Sequence, residues 1–188
     1  MRTTIPGIVL AAFLGAGAWP AAAQHGELQL GVVAAYGTPA AFGKGAGPVA
    51  GIALGRIVYF GARWIGHEGG TTTVAEAGPS GRITTRAQLY EADFGLLLPV
   101  GRFEVVPGFS LGAVRFRQPA SAAGHRWEFV GAPTLAVHAY VAGLVLIPEL
   151  QYFMTGDPEG PDFWHGPHAG WLPSVRLVIP IEIGRIRY

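Results

Sequence analysis

The chain has 188 residues, of which 50% are hydrophobic and 13% are charged, and it contains no cysteine. This length suits one domain, and the lack of cysteine excludes a disulfide scaffold, a thiolate metal site and a cysteine nucleophile. The 13 lysines and arginines nearly balance the 12 aspartates and glutamates, so no strongly basic surface exists to attract nucleic acid. Because globular proteins carry about 25% charged residues, we expect a chain that is unusually buried or a surface that does not face water.

The first 23 residues have the features of a secretory signal peptide. Arg2 supplies the positive charge, an apolar run covers 8–19, and small residues at 21–23 form a cleavage site. The apolar run is too short to span a bilayer as a helix. We therefore predict a cleaved signal peptide over 1–23 and one mature domain over 24–188, with an uncleaved membrane anchor as the alternative.

Beyond the signal, apolar and polar residues alternate with period two in eight successive stretches, which is the pattern of half-buried β-strands. The predicted strands cover 27–37, 48–55, 57–67, 83–99, 103–117, 126–141, 144–155 and 171–184. Tight turns are predicted at 55–56, 100–102 and 142–143, and longer connections over 38–47, 68–82, 118–124 and 156–170. Short turns at one end, long loops at the other and an even strand number are typical of transmembrane barrels.

The alternation divides these strands into an apolar face and a polar face. The apolar face includes Leu30, Phe94 and Ile179, whereas the polar face is mostly Gly, Ala, Ser and isolated charges. A water-facing surface would be rich in lysine and glutamate, but the chain has one lysine, Lys44. Because small residues suit the narrow interior of an eight-stranded barrel, we predict that the apolar face points outward to lipid. A soluble lipocalin-like barrel is the alternative.

Aromatic residues with the apolar parity fall at the long-loop end of six different strands. They are Tyr36, Trp64, Tyr90, Trp127, Tyr152 and Trp171. The amphipathic rings of Tyr and Trp prefer the headgroup depth of a membrane. We therefore predict that these six residues form a membrane-interface girdle.

Charged residues of the polar face point into the predicted interior, where a charge is costly unless it is paired or wetted. The predicted lumen network consists of Arg63, Glu91, Asp93, Glu104, Glu128, Glu149, Arg176 and Glu182. With its two arginines at the centre, this network would plug the barrel. Since the carboxylates outnumber the arginines, some must lie near the mouths, hold water or be protonated. A narrow cation-preferring pore is the alternative.

Three arginines with outward parity lie near the long-loop end, namely Arg86, Arg115 and Arg117. Guanidinium groups bind phosphate through bidentate, charge-assisted hydrogen bonds. We therefore predict contacts between these arginines and lipopolysaccharide phosphates. Ordinary solvation above the membrane is the alternative.

Two features strain a regular barrel. Prolines that lack a ladder donor fall inside predicted strands, at Pro107, Pro133, Pro148, Pro173 and Pro180. We expect bulges at these prolines. We also expect a bulge at Gly184, because the residues that follow it up to Tyr188 are out of phase with the last strand.

The motifs that could carry catalysis or bind a metal are weak. Gly108-Phe-Ser110-Leu-Gly112 matches the G-x-S-x-G pattern, but that motif requires a strand-to-helix turn and here lies within a strand. His165 and His168 lie near Asp162, yet no regular element would hold their geometry for a metal. We predict no catalytic residue, no metal and no cofactor, and a lipid-modifying barrel enzyme ranks third among the functions considered.

With these features the chain resembles, over residues 27–188, the small outer-membrane barrels of the OmpA/OmpX type. Its last stretch, from Val175 to the aromatic Tyr188, is similar to the terminal signal that the barrel-insertion machinery reads in that class. The resemblance implies a monomeric, eight-stranded antiparallel up-and-down barrel in the outer membrane, in contact with membrane lipid and lipopolysaccharide. It also implies a structural or surface-interaction role, and it leaves the partner of the surface loops open.

Overall fold

The computed structural model describes residues 26–38, 42–54, 57–73, 82–117, 125–155 and 169–183. These residues form nine strand segments: β1 (Gly26–Gly37), β2 (Gly43–Leu54), β3 (Val58–Thr73), β4 (Arg82–Leu96), β5 (Leu98–Val100), β6 (Phe103–Arg117), β7 (His125–Val141), β8 (Leu144–Thr155) and β9 (Ala169–Ile183). All pairings are antiparallel, and those of β4 with β6 and of β1 with β9 close the sheet. No helix long and apolar enough to cross a membrane occurs among the described residues. The predicted signal peptide and the expected bulge at Gly184 lie outside them.

Segments β4 and β5 together make one barrel strand that is interrupted at Leu97. Both pair with β6 in a single register, which puts Leu97 opposite Val106 and Leu96 opposite Pro107, a residue with no N–H to donate. On the other side, the backbone N–H of Leu97 donates to the carbonyl oxygen of Ile57, just before β3, at 2.8 Å. The prediction of a closed, eight-stranded antiparallel up-and-down barrel is confirmed.

The in-strand prolines do not produce the expected bulges. Ladder register is the same on both sides of Pro107, Pro133, Pro148, Pro173 and Pro180. A residue in an antiparallel strand directs its N–H toward one neighbour only, so each proline removes one ladder bond without displacing the strands. Among the described ladders the register shifts at one place, between His67 and Gly70 of β3.

Burial separates the two faces of the barrel wall. Leu30, Phe94 and Ile179 are 43%, 37% and 57% exposed, whereas Glu91 and Arg176 are 5% and 2% exposed. The apolar side of each strand therefore forms the outer surface, and the small and charged side lines the interior.

The strands extend further toward the long loops than the sequence pattern indicates. β2 begins at Gly43 rather than at 48, and β3 continues to Thr73 rather than ending at 67. The start of β2 is glycine-rich, with Gly43, Gly45 and Gly47 at every second position, and it lacks an alternation of apolar and polar side chains. At Gly47, however, glycine is required, because a Cβ there would lie 1.8 Å from the carbonyl oxygen of Trp64 on the neighbouring strand.

The interior contains three layers of side chains. The upper apolar layer, toward the long loops, consists of Val33, Ala35, Phe42, Ile65, Ala87, Leu89, Val114, Phe116, Val130, Ala132, Phe153 and Leu172. The lower apolar layer, toward the short turns, consists of Val49, Ala53, Tyr59, Leu97, Val106, Ala136, Val145, Ile147 and Val178. Between them lies a buried charged layer that contains Arg63 and Arg176. The prediction of a small and polar inner face is incomplete, because two apolar layers also line the interior.

Candidate functional site

Arg63 lies at the centre of the charged layer. Its position on β3 directs the side chain inward, and the side chain is fully buried. Its Nε donates to Oε2 of Glu91 at 2.7 Å, and its Nη1 donates to Glu149. Its Nη2 donates to Oε1 of Gln151 at 2.6 Å and lies 3.4 Å from Oδ1 of Asp93. One guanidinium thus pairs with carboxylates from two different strands.

Arg176 of β9 supplies the second cation of this layer. Its Nη1 lies 3.0 Å from Oδ2 of Asp93, and its Nη2 donates to Glu149. Nη1 also donates to the hydroxyl of Tyr59 at 3.2 Å. Asp93 and Glu149 therefore each contact both arginines and join them into one network.

Two neutral side chains complete the charged layer. The hydroxyl of Ser110 donates to Oδ1 of Asp93 at 2.6 Å, and the amide of Gln151 donates to Glu91. Ser110, the serine of the G-x-S-x-G match, is buried in the middle of β6 and acts as a hydrogen-bond donor. Because buried charges are tolerated when they are paired and hydrogen-bonded, this arrangement can hold the barrel interior in one conformation.

The other three residues of the predicted network lie away from this layer. Glu104, near the short turns, accepts a hydrogen bond from the hydroxyl of Tyr140 at 3.1 Å. Glu182 lies at the same end, directly across the ladder from Glu27, and is exposed. Glu128 is buried near the start of β7, toward the long loops. The structure thus brings together Arg63, Glu91, Asp93, Glu149 and Arg176 and separates the remaining carboxylates.

The six aromatic residues of the predicted girdle all project from the outer side of the wall. Tyr36, Trp64, Tyr90, Trp127 and Trp171 are exposed, and Tyr152 is partly buried. Neighbouring rings contact each other, with centroids 5.6 Å apart for Tyr90 and Trp127 and 4.9 Å apart for Tyr152 and Trp171.

Below these rings the outer surface is an apolar band. The band extends from Tyr152 to Leu144 on β8 and from Trp171 to Ile181 on β9. At about 3.4 Å per residue and a tilt of about 40°, these spans give a height of about 21 to 26 Å. Barrels of the outer membrane carry an apolar band about 25 Å tall.

The predicted phosphate-binding arginines lie at the long-loop end of β4 and β6. Arg86 is exposed and Arg115 is partly exposed on the outer surface, and the guanidinium carbon of Arg115 lies 5.8 Å from the centre of the Trp127 ring. Arg117 ends β6, and its side chain is not among those described. In the described strands and turns, no three His, Asp or Glu side chains are grouped to hold a metal ion, and His165 and His168 lie outside those segments.

No protein-family model matches the chain, and no curated protein matches it. The barrel is nevertheless similar to solved structures. The N-terminal β-barrel domain of Pseudomonas aeruginosa OprF has a TM-score of 0.50 at 10% identity, with 84% of this chain and 98% of that domain covered. Neisserial surface protein A gives 0.45 at 12% identity, with 86% and 96% covered. Ail, the attachment invasion locus protein of Yersinia pestis, gives 0.45 at 8% identity, with 85% and 99% covered.

The chain has the fold of the small eight-stranded outer-membrane barrels. This assignment rests on the structural similarity to the OprF domain. At 10% sequence identity, that similarity concerns the fold alone. The resemblance inferred from the sequence is confirmed at that level.

Phe42 falls in the predicted connection over 38–47, but it is buried. It lies just before β2 and packs against the rings of His67, Phe116 and Phe153, with centroid distances of 5.0, 5.8 and 4.7 Å. A Cβ on Gly37 would lie 2.3 Å from the Cβ of Phe42, so the glycine leaves room for the ring to enter. The sequence signal that could have indicated its burial is that Phe42 is the one large apolar residue in the glycine-rich stretch 38–47.

Proposed function

We propose that this chain is a barrel of the outer membrane with a closed interior and a structural or surface-interaction role. The location is supported by the apolar outer band, by the aromatic rings that border it and by the fold shared with the OprF domain. The proposal includes no catalysis, and the burial of Ser110 within a strand supports that part.

The observation that carries the closed interior is the order of the three layers. A pore requires a continuous polar or hydrated path. Here the middle of the barrel is filled by paired charges, and an apolar layer lies on each side of them. Ions would have to cross both apolar layers and break the arginine pairs, so we favour a plugged barrel over a narrow cation-preferring pore.

Single-channel recording in planar bilayers tests the closed interior. The wild type should show no steady conductance. Arg63→Ala should increase any leak, because it removes a fully buried guanidinium and leaves Glu91 without its arginine partner. Arg102→Ala removes an exposed guanidinium at a short turn and should change nothing. Steady cation-selective conductance of the wild type would contradict the closed interior and favour the pore.

A gel assay tests the membrane character of the barrel separately. After refolding in detergent, the unheated protein should migrate differently from the heated protein, and its circular dichroism should be that of β-structure. A chain that folds in buffer without detergent and shows no heat-dependent shift would contradict the outer-membrane location.

A further inference from the structure

A cleft of about 330 Å³ lies on the outer surface at the long-loop end of β3, β4 and β6. Its outward lining consists of Trp64, Gly66, Arg86, Gln88 and Arg115, and its floor includes the buried residues His67 and Ala87. Gly66 adds no side chain to the cleft, and a Cβ there would lie 3.3 Å from the ring of Trp64. The cleft therefore combines an indole wall with two guanidinium groups.

The β4–β6 ladder brings the cations of this cleft together. Gln88 lies directly opposite Arg115, and Arg86 lies two residues further toward the loops, opposite Arg117. Within the described part of the chain, neither Arg86 nor Arg115 forms a salt bridge. The Nε of Arg115 is buried and has no hydrogen-bond partner there. Two cations thus share one cleft without an ion-pair partner in the described residues.

The depth of the cleft matches the headgroup region proposed for this end of the barrel. Arg115 lies directly across the ladder from the girdle residue Trp127, and Arg86 lies about 7 Å further along β4 than Gln88. Lipid phosphates lie just outside the apolar core, at the depth where such rings reside. The apolar band continues directly below, so a lipid whose phosphate sits in the cleft could lay its acyl chains along the barrel.

We propose that this cleft binds the phosphate of an anionic lipid headgroup, specifically a phosphorylated sugar of lipopolysaccharide. Two guanidinium groups that line one cleft can donate charge-assisted hydrogen bonds to phosphate oxygens. The indole of Trp64 packs beside the upper part of the acyl chains. This inference rests on the proposed outer-membrane location, because a barrel in water would meet no such lipid.

The test measures binding of bisphosphorylated lipid A to the full chain refolded in a neutral detergent, with the unfolding temperature on gels as readout. Lipid A should raise the unfolding temperature of the wild type, and dephosphorylated lipid A should not. Arg86→Gln combined with Arg115→Gln should weaken lipid A binding at least about tenfold. Equal binding by this double variant, or equal protection by dephosphorylated lipid A, would overturn the proposal.

Two single variants serve as matched controls. Arg102→Gln removes an exposed arginine at the short-turn end and should leave binding unchanged. Glu68 is exposed on β3 just after His67, so Glu68→Gln removes a negative charge near the cleft and should leave binding equal or tighter. A loss of binding in either variant would contradict the assignment to the arginine cleft.

Two further measurements distinguish a wrong lipid assignment from a wrong membrane location. Inorganic phosphate should protect the wild type less than lipid A does, and equal protection would overturn the lipid assignment. The double variant should keep its heat-dependent gel shift, because both replaced side chains lie on the outer surface. If the wild type fails to fold in detergent before any lipid is added, the proposed location fails rather than the phosphate site.

Discussion

Individual residues in the barrel interior are constrained by charge and by space. Arg63 is surrounded by Glu91, Asp93 and Glu149 at salt-bridge distance. Removing one partner of a buried ion pair is far more harmful than replacing the whole pair with apolar groups, because the remaining charge is left unpaired. The loss in free energy of unfolding caused by a substitution in this layer should therefore depend on how many buried charges lose their ion-pair partner.

Arg63→Ala should reduce the free energy of unfolding by about 3–5 kcal/mol. The physical reason is that Glu91 loses its arginine, while Asp93 and Glu149 keep Arg176 alone. Denaturant titration in lipid vesicles measures this change. Arg102→Ala at an exposed turn position should change the same quantity by less than about 0.5 kcal/mol, and comparable losses in the two variants would contradict the role of the charged layer.

Gly112→Ala should destabilise the barrel by about 1–3 kcal/mol. A Cβ at this inward position would lie 1.9 Å from the carbonyl oxygen of Tyr90 and 2.9 Å from the Cα of Glu91, so the backbone of β4 would have to move. In Gly131→Ala, the nearest atom is the end of the Phe109 side chain at 3.3 Å, which can shift. Unfolding in denaturant should show a smaller loss for Gly131→Ala, and the reverse order would refute the packing argument.

The strands and turns follow the sequence pattern closely wherever side chains alternate. The strands at 103–117 and 144–155 begin and end where the alternation does. The glycine-rich start of β2 lacks an alternation of apolar and polar side chains, and its strand conformation depends on the pairing of Gly43 with Gly37 and of its neighbours with β1. Because glycine has no side chain to mark a buried or exposed face, this part of β2 is recognised as a strand only from its pairing with β1.

A substitution in the turn between β7 and β8 should stabilise the barrel. Ala142 and Gly143 both have positive φ, at 50° and 81°, as in the two-residue turns that prefer Asn-Gly. Ala142→Asn should raise the free energy of unfolding by about 1 kcal/mol, because asparagine tolerates this conformation better than alanine. The same denaturant titration checks it, and Ala142→Val should lower stability. Equal stability of the two variants would show that the turn is not strained.

For the whole molecule, the decisive property is that the apolar surface lies outside. Leu177 is exposed in the middle of β9 between Trp171 and Ile183, and Val100 is exposed beside a short turn. A barrel that crosses a membrane should respond to charge at these sites according to depth.

Leu177→Arg should destabilise the barrel in lipid vesicles by about 2–4 kcal/mol, and Val100→Arg by about 0–1 kcal/mol. The difference arises because a guanidinium at mid-depth must enter hydrocarbon, whereas one near the short turns reaches the interface. Equilibrium unfolding in vesicles measures both variants. If Leu177→Arg were neutral, the outer surface would face water and the membrane assignment would fail.

The sequence by itself determined the strand number, the inward and outward faces, and the position of short turns and long loops. These follow from alternation and turn residues, which are local properties of a strand. Only the tertiary structure decided which inward residues meet. Arg63 and Glu149 are 86 residues apart, and Arg176 and Tyr59 are 117 apart, so their contacts depend on how the closed sheet staggers its strands. Closure of the barrel also places apolar layers above and below the charged layer. The odd or even position of a residue in its strand assigns the side chain to a face, but it does not say what that side chain packs against across the interior.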